Sequence, residues 1–86
     1  MANQDESTKD ERTDHQVLRR IERLASDAHG LYAKNSLDAE DRERLRKVRI
    51  ELDQCWDLLR QRQALRDAGR DPDQAQVRPA DIVESY

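Results

Sequence analysis

The sequence predicts an all-α fold: an antiparallel two-helix hairpin, coiled-coil-like, with a short C-terminal helical or extended segment packing back on it. Three observations carry this expectation. The 86-residue chain is 41% charged, with two Gly, two Pro and no Phe, a composition rich in helix formers and poor in turn and strand formers. Two stretches repeat apolar residues at alternating spacings of three and four, the signature of a helix with one buried stripe. The stripes mirror each other about residue 38, so that Leu31 would face Leu45, Ala28 Val48, Leu24 Leu52, Ile21 Cys55 and Val17 Leu59. That is the register of two helices folded back by a short turn.

Residues 1–12 are polar and acidic and hold no large apolar residue, which predicts a disordered tail. The hairpin is expected over 13–70. Thr13 followed by Gln16 has the spacing of a capping box, and the first helix is expected over about 14–34. Its stripe is Val17, Ile21, Leu24, Ala28 and Leu31, widened by Leu18, Ala25 and Tyr32 at heptad spacing. Gly30 weakens this helix by roughly 1 kcal/mol relative to Ala or else caps it early; the stripe running on through Leu31 favours continuation. Residues 35–38 read as a turn, with Ser36 or Asp38 capping the next helix. Asp38, Glu40 and Asp41 suit the positive end of that helix. The second helix is expected over about 39–68, with Leu45, Val48, Leu52, Cys55 and Leu59 as its stripe and Gly69 as its stop. In the last segment, 71–86, Asp71-Pro72 favours a new turn. Pro79–Tyr86 has room for one or two helical turns carrying Ile82, Val83 and Tyr86.

Ten stripe residues make a thin core for a chain of this size. Leu18, Ala25 and Tyr32 on the first helix, and Leu58 and Leu65 off the stripe of the second, offer apolar surface for a third layer. Two elements can supply it: the C-terminal residues Val77, Ile82, Val83 and Tyr86, or a second hairpin in a four-helix homodimer.

Charge and cysteine usage narrow the function classes. The formal net charge is −3. Residues 1–12 hold four acids against two bases and residues 71–86 four against one, whereas 36–70 hold eight acids against nine bases. Acidic ends around a balanced middle argue against a nucleic-acid binder, which would concentrate basic residues on one face. One Cys excludes an internal disulfide and fits a reducing compartment. The N-terminus has neither the basic nor the apolar region of a signal peptide, and no apolar run reaches membrane-spanning length. A cytoplasmic protein without membrane attachment is expected.

The stretch LDQCWDLLRQR, residues 52–62, holds the only Trp and the only Cys. Cys55 lies on the stripe and reads as a small buried core residue. Trp56 lies beside the stripe, about 20° from Leu45 at about 100° per residue, on a border where aromatic residues serve as packing edges or partner contacts. Asp53 and Asp57, four residues apart, have Arg49 and Arg60 within helical pairing distance, so they read as ion-pair members rather than acid–base catalysts. Asp71-Pro72-Asp73 lacks the Gly and Glu of a calcium loop. His15 and His29 have no ligand partner at metal-binding spacing. Neither a nucleophilic triad nor a phosphate loop is present. Arg42, Arg46 and Arg49 form a stripe, extended by Arg60, of the kind that binds phosphate or acidic groups.

Residues 52–86 resemble the C-terminal half of a small actinobacterial family, domain of unknown function 2630. The resemblance rests on the run from Leu52 to Arg62, Gly69 with Asp71-Pro72-Asp73, Arg78-Pro79, and Val83-Glu84-Ser85-Tyr86. It is looser over 14–51, where Gly30 stands in place of a charged residue. It implies a small helical protein and supplies no catalytic residue.

These readings favour a non-enzymatic protein-interaction or regulatory module with no cofactor and no metal. It would bind an unknown protein partner, or itself, through Trp56, Leu58, Leu65 and Tyr32. The alternative is a sensor that binds a small phosphorylated ligand or nucleotide through Arg42, Arg46, Arg49 and Arg60, with Trp56 as a stacking platform.

Overall fold

The computed structural model describes residues 13–83, and these residues form helices and turns without a strand. Helix α1 runs Asp14–Tyr32 and helix α2 runs Ala39–Asp67; a 3-10 turn at Pro72–Gln74 and a one-turn helix, α3, at Ala80–Val83 follow. The acidic tail expected at 1–12 and the packing expected of Tyr86 lie outside the described residues.

The two long helices begin where side chains satisfy orphan backbone donors. The Thr13 hydroxyl accepts from the Gln16 amide at 3.2 Å. Of the two caps open for α2, Asp38 is the one used. Its carboxylate accepts from the Asp41 amide at 2.8 Å, and the Asp41 carboxylate accepts from the Asp38 amide at 3.3 Å, a reciprocal capping box. Asp41 also receives Lys34 Nζ at 2.6 Å, which ties the end of α1 to the start of α2 across the turn.

Gly30 lies inside α1, and the helix ends at Tyr32, two residues short of the expected end. The end of α2 is a Schellman motif: the Gly69 amide donates to Arg66 O at 3.0 Å and the Arg70 amide to Leu65 O at 2.8 Å. Gly69 has φ +73°, a left-handed conformation that costs a residue with a Cβ about 1–2 kcal/mol.

The hairpin is antiparallel, and its ion pairs show the register. Lys34 meets Asp41 beside the turn, Arg20 meets Glu51 midway, and Asp14 meets Arg62 at the open end. All five α1 stripe residues are buried. On α2, Leu45, Val48 and Cys55 are buried while Leu52 and Leu59 are partly buried against the same core. The C-terminal segment packs along the flank of α2 that carries Gln54 and Gln61, contacts α2 through the 3-10 turn and α3, and buries Ala75 and Val83.

That packing corrects one expectation. Leu58 was expected to offer contact surface; it is 4% exposed and belongs to the core cluster together with Ala75. Leu65 is partly buried against the same cluster. The C-terminal segment therefore supplies the third layer on this side. Val77 and Ile82, expected to help cover it, stay exposed. Among the described residues no helix is long and apolar enough to cross a membrane.

Candidate interaction site

Two polar clasps hold the C-terminal segment on α2. In the first, Asp57 is 3% exposed. It accepts Arg78 Nε at 2.9 Å, a second bond from the same guanidinium, and Gln61 Nε2 at 2.8 Å. This differs from the expectation that Arg49 and Arg60 would neutralise Asp57; its partner comes from the C-terminal segment, on another face of α2. Gln61 also donates to Gln76 O at 2.7 Å and accepts from the Gln76 amide at 3.3 Å, and Gln54 donates to Arg78 O at 3.1 Å. The two glutamines thereby satisfy the extended backbone that passes over them, where unpaired peptide groups would be costly.

The second clasp is centred on Arg62, which is 4% exposed. It donates Nε to Asp14 Oδ1 at 2.6 Å, and one Nη to Asp73 Oδ1 at 2.9 Å and to Pro72 O at 3.3 Å. Arg66 reaches the same Asp14 oxygen at 2.8 Å. One guanidinium thus joins the start of α1, the body of α2 and the 3-10 turn. The Asp14 carboxyl is held below its ordinary pKa of 3.8, above all by the hydrogen bond from Arg66 and also by Arg62.

Sequence reasoning missed both clasps, though both left a signal. Continuing the α2 spacing beyond Leu59 lands on Arg62, and the mirror register about residue 38 pairs Arg62 with Asp14. Gln54, Leu58, Gln61 and Leu65 form a second stripe of α2 at spacings of four, three and four, which the C-terminal segment covers.

Cys55 is buried, and burial pushes its thiol above the ordinary value. It forms part of the wall of a groove between α1, α2 and the C-terminal segment, beside Val17, Arg20, Glu51, Leu58 and Val77. The groove has a volume of about 250 Å³, below the roughly 300–1,000 Å³ of typical ligand pockets. Among the described residues no group of three or more His, Cys, Asp or Glu is placed to hold a metal ion.

The Arg stripe is only partly assembled. Arg42, Arg46 and Arg49 line one shallow depression with Leu45, Ile50 and Asp53, and Arg60 lies outside it. Glu43 holds Arg46 through two bonds at 2.8 and 3.2 Å, and the acidic Asp53 is among the residues that line the depression. Both features reduce its pull on an anion.

Trp56 stands apart from the clasps. It is 49% exposed, and Tyr32 and Leu18 are 61% and 44% exposed. The Arg20–Glu51 pair fixes which flanks share a face. At about 100° per residue, Arg20 flanks the α1 stripe opposite Leu18, Ala25 and Tyr32, and Glu51 flanks the α2 stripe opposite Trp56. One broad side of the hairpin therefore carries Leu18, Ala25 and Tyr32 from α1 and Trp56 from α2, with half-buried Leu52 and Leu59 between. In the hairpin register Leu18 is level with Leu58 and Leu59, within a turn of Trp56. Two of the four residues expected to contact a partner, Trp56 and Tyr32, lie on this open face; Leu58 and Leu65 lie on the covered one.

Comparison with known proteins places the chain among relatives without an established role. Uncharacterized proteins from Mycobacterium bovis and from two strains of Mycobacterium tuberculosis are each 49% identical over 78 residues, covering 86% of this chain and 90% of the relative. No solved structure matches the chain significantly. The profile of the family described as protein of unknown function (DUF2630) matches residues 13–86, both helices and the C-terminal segment together, and the chain belongs to that family.

Proposed function

We propose that this protein is a non-enzymatic helical interaction module that works through the open face bearing Trp56, Leu18 and Tyr32. The observation that carries the reading is the half-exposed Trp56 beside half-buried Leu52 and Leu59, on a helix whose other two sides are occupied by α1 and by the C-terminal segment. Trp and Tyr supply large contact area at low entropic cost, and Trp and Arg are over-represented among residues that dominate interface energies. Arg49 and Arg60, one or two turns from Trp56, give the apolar centre a polar rim. The Arg42/Arg46/Arg49 depression supports binding of a phosphorylated ligand less well, because Glu43 holds Arg46 and Asp53 lines the depression.

The test is affinity purification of the tagged full chain from its native cell, comparing wild type, Trp56→Ala and Leu18→Asp with Val77→Asp. Val77 is exposed on the opposite side, beside Arg20 and Glu51. Loss of a specific co-purifying protein, or of co-purifying untagged copies of the chain, in the first two variants but not in the third supports the reading. Retention of every specific partner in all three refutes it.

A further inference from the structure

Three features of the open face identify its occupant, on the reading that it is an interaction surface. The first is periodicity. Leu18, Ala25 and Tyr32 repeat at intervals of seven beside the buried α1 stripe, and Leu45, Leu52 and Leu59 repeat at seven on α2 with Trp56 next to them. A helix with one neighbour needs one stripe. A second stripe at heptad spacing is what a helix shows when it packs against two neighbours, as in a four-helix bundle.

The second feature is charge. The ion pairs that join different elements all lie away from the open face: Arg20 with Glu51, Lys34 with Asp41, Arg62 with Asp14 and Asp73, Arg78 with Asp57. On and beside the open face, Arg49, Arg60, Asp53 and Glu22 form no ion pair among the described residues. Cations and anions left uncommitted on one face can be complementary to a copy of that face, as a two-fold interface requires.

The third feature is size. The 19 residues of α1 span roughly 28 Å, and two helices side by side are about 20 Å wide. The footprint is on the order of 550 Å² before side-chain relief is counted, approaching the roughly 800 Å² that each partner contributes to a stable interface.

We infer that the face is covered by a second copy of this chain, two hairpins packing through Leu18, Ala25, Tyr32, Leu52, Leu59 and Trp56 as a four-helix dimer. Sedimentation equilibrium of the full chain from about 1 to 500 μM tests this, with circular dichroism to show that each variant keeps its helices. Wild type is expected to shift from the 10.1 kDa monomer to twice that mass within this range. Trp56→Asp and Leu18→Asp should each weaken association by about 30-fold or more, as loss of an interface hot spot does. Val77→Asp should leave it unchanged. A wild-type chain monomeric at every concentration overturns the inference, as does a dimer that survives Trp56→Asp and Leu18→Asp with helices intact. A monomer that still captures another protein through Trp56 overturns self-association and leaves the interaction reading standing; a monomer that captures nothing overturns both.

Discussion

Removing Arg78 should destabilise the protein more than removing Asp57, although either change breaks the same ion pair. Asp57 is 3% exposed at its side chain and Arg78 is 42% exposed. Arg78→Ala strips two charge-assisted hydrogen bonds from a carboxylate enclosed between α2 and the C-terminal segment. Such bonds are each worth about 1.5–3 kcal/mol net, and one-sided removal of a buried pair costs about 3–5 kcal/mol. Because Gln61 continues to donate to Asp57, the lower end applies, about 3 kcal/mol. Asp57→Ala loses the same bonds but leaves its cation half in water, where the guanidinium can turn outward, so the expected cost is about 1–1.5 kcal/mol. The double variant should resemble Asp57→Ala, giving a coupling equal to the Arg78→Ala cost, about 3 kcal/mol. Urea unfolding followed by circular dichroism and Trp56 fluorescence, at one fixed protein concentration, measures all four species. Equal costs for the two single variants, or additive costs in the double variant, would refute the assignment of Asp57 as the buried member that needs Arg78.

The glycines should respond in opposite directions. A Cβ at Gly30 meets nothing within 4 Å and the backbone there is helical, so Gly30→Ala should add about 0.5–1 kcal/mol of stability, seen as a rise in melting temperature of several degrees. Gly69→Ala should remove about 1–2 kcal/mol, because φ is +73° at that position. Asp14 has a folded pKa below its ordinary value of 3.8, so its contribution is fully present above that value and is lost as pH falls through the folded pKa. Urea melts between pH 5 and pH 2 should show a shallower loss of stability for Asp14→Asn than for wild type. Cys55 is buried, with its thiol pushed above the ordinary value, so iodoacetamide should label it more slowly at pH 8 in the native protein than in urea; equal rates would count against burial.

What the sequence revealed and what it concealed follow from one physical distinction. The hairpin was legible because its cause is periodic and local. Five apolar positions on α1 repeat in one stripe, α2 carries its mirror image, and Asp38 can cap one helix beginning only just beyond residue 38. The clasps were less legible because their members are charged, and a charged residue in a stripe reads as a surface residue until its partner is known. Arg62 continues the α2 stripe in perfect register, yet it joins the core only because Asp14, Asp73 and Pro72 O surround it. Leu58 was misplaced for a related reason. Its stripe alternates with Gln54 and Gln61, whose amides bond a segment with no periodicity of its own. Trp56 was placed on a border by its angle alone, and its half exposure on the side away from the C-terminal segment agrees with that placement.

The same division bears on how the open face should behave. In an isolated hairpin, Trp56 contributes to stability only through its buried half, and Trp56→Ala should lower stability by an amount independent of protein concentration. In a two-hairpin bundle the indole is enclosed on both sides, and the loss grows as wild type associates, because mass action stabilises only the species that binds. The clasps supply an internal control. Asp57→Ala acts within one chain, so its effect on stability should remain nearly constant over a range of concentrations in which the effect of Trp56→Ala increases. A tenfold rise in concentration adds about 1.4 kcal/mol to an obligate dimer and nothing to a monomer. Melting both variants and wild type at two concentrations a hundredfold apart therefore separates contacts within a chain from contacts between chains. If the Trp56→Ala effect proves as independent of concentration as that of Asp57→Ala, the second heptad stripe of α1 is solvated edge rather than interface.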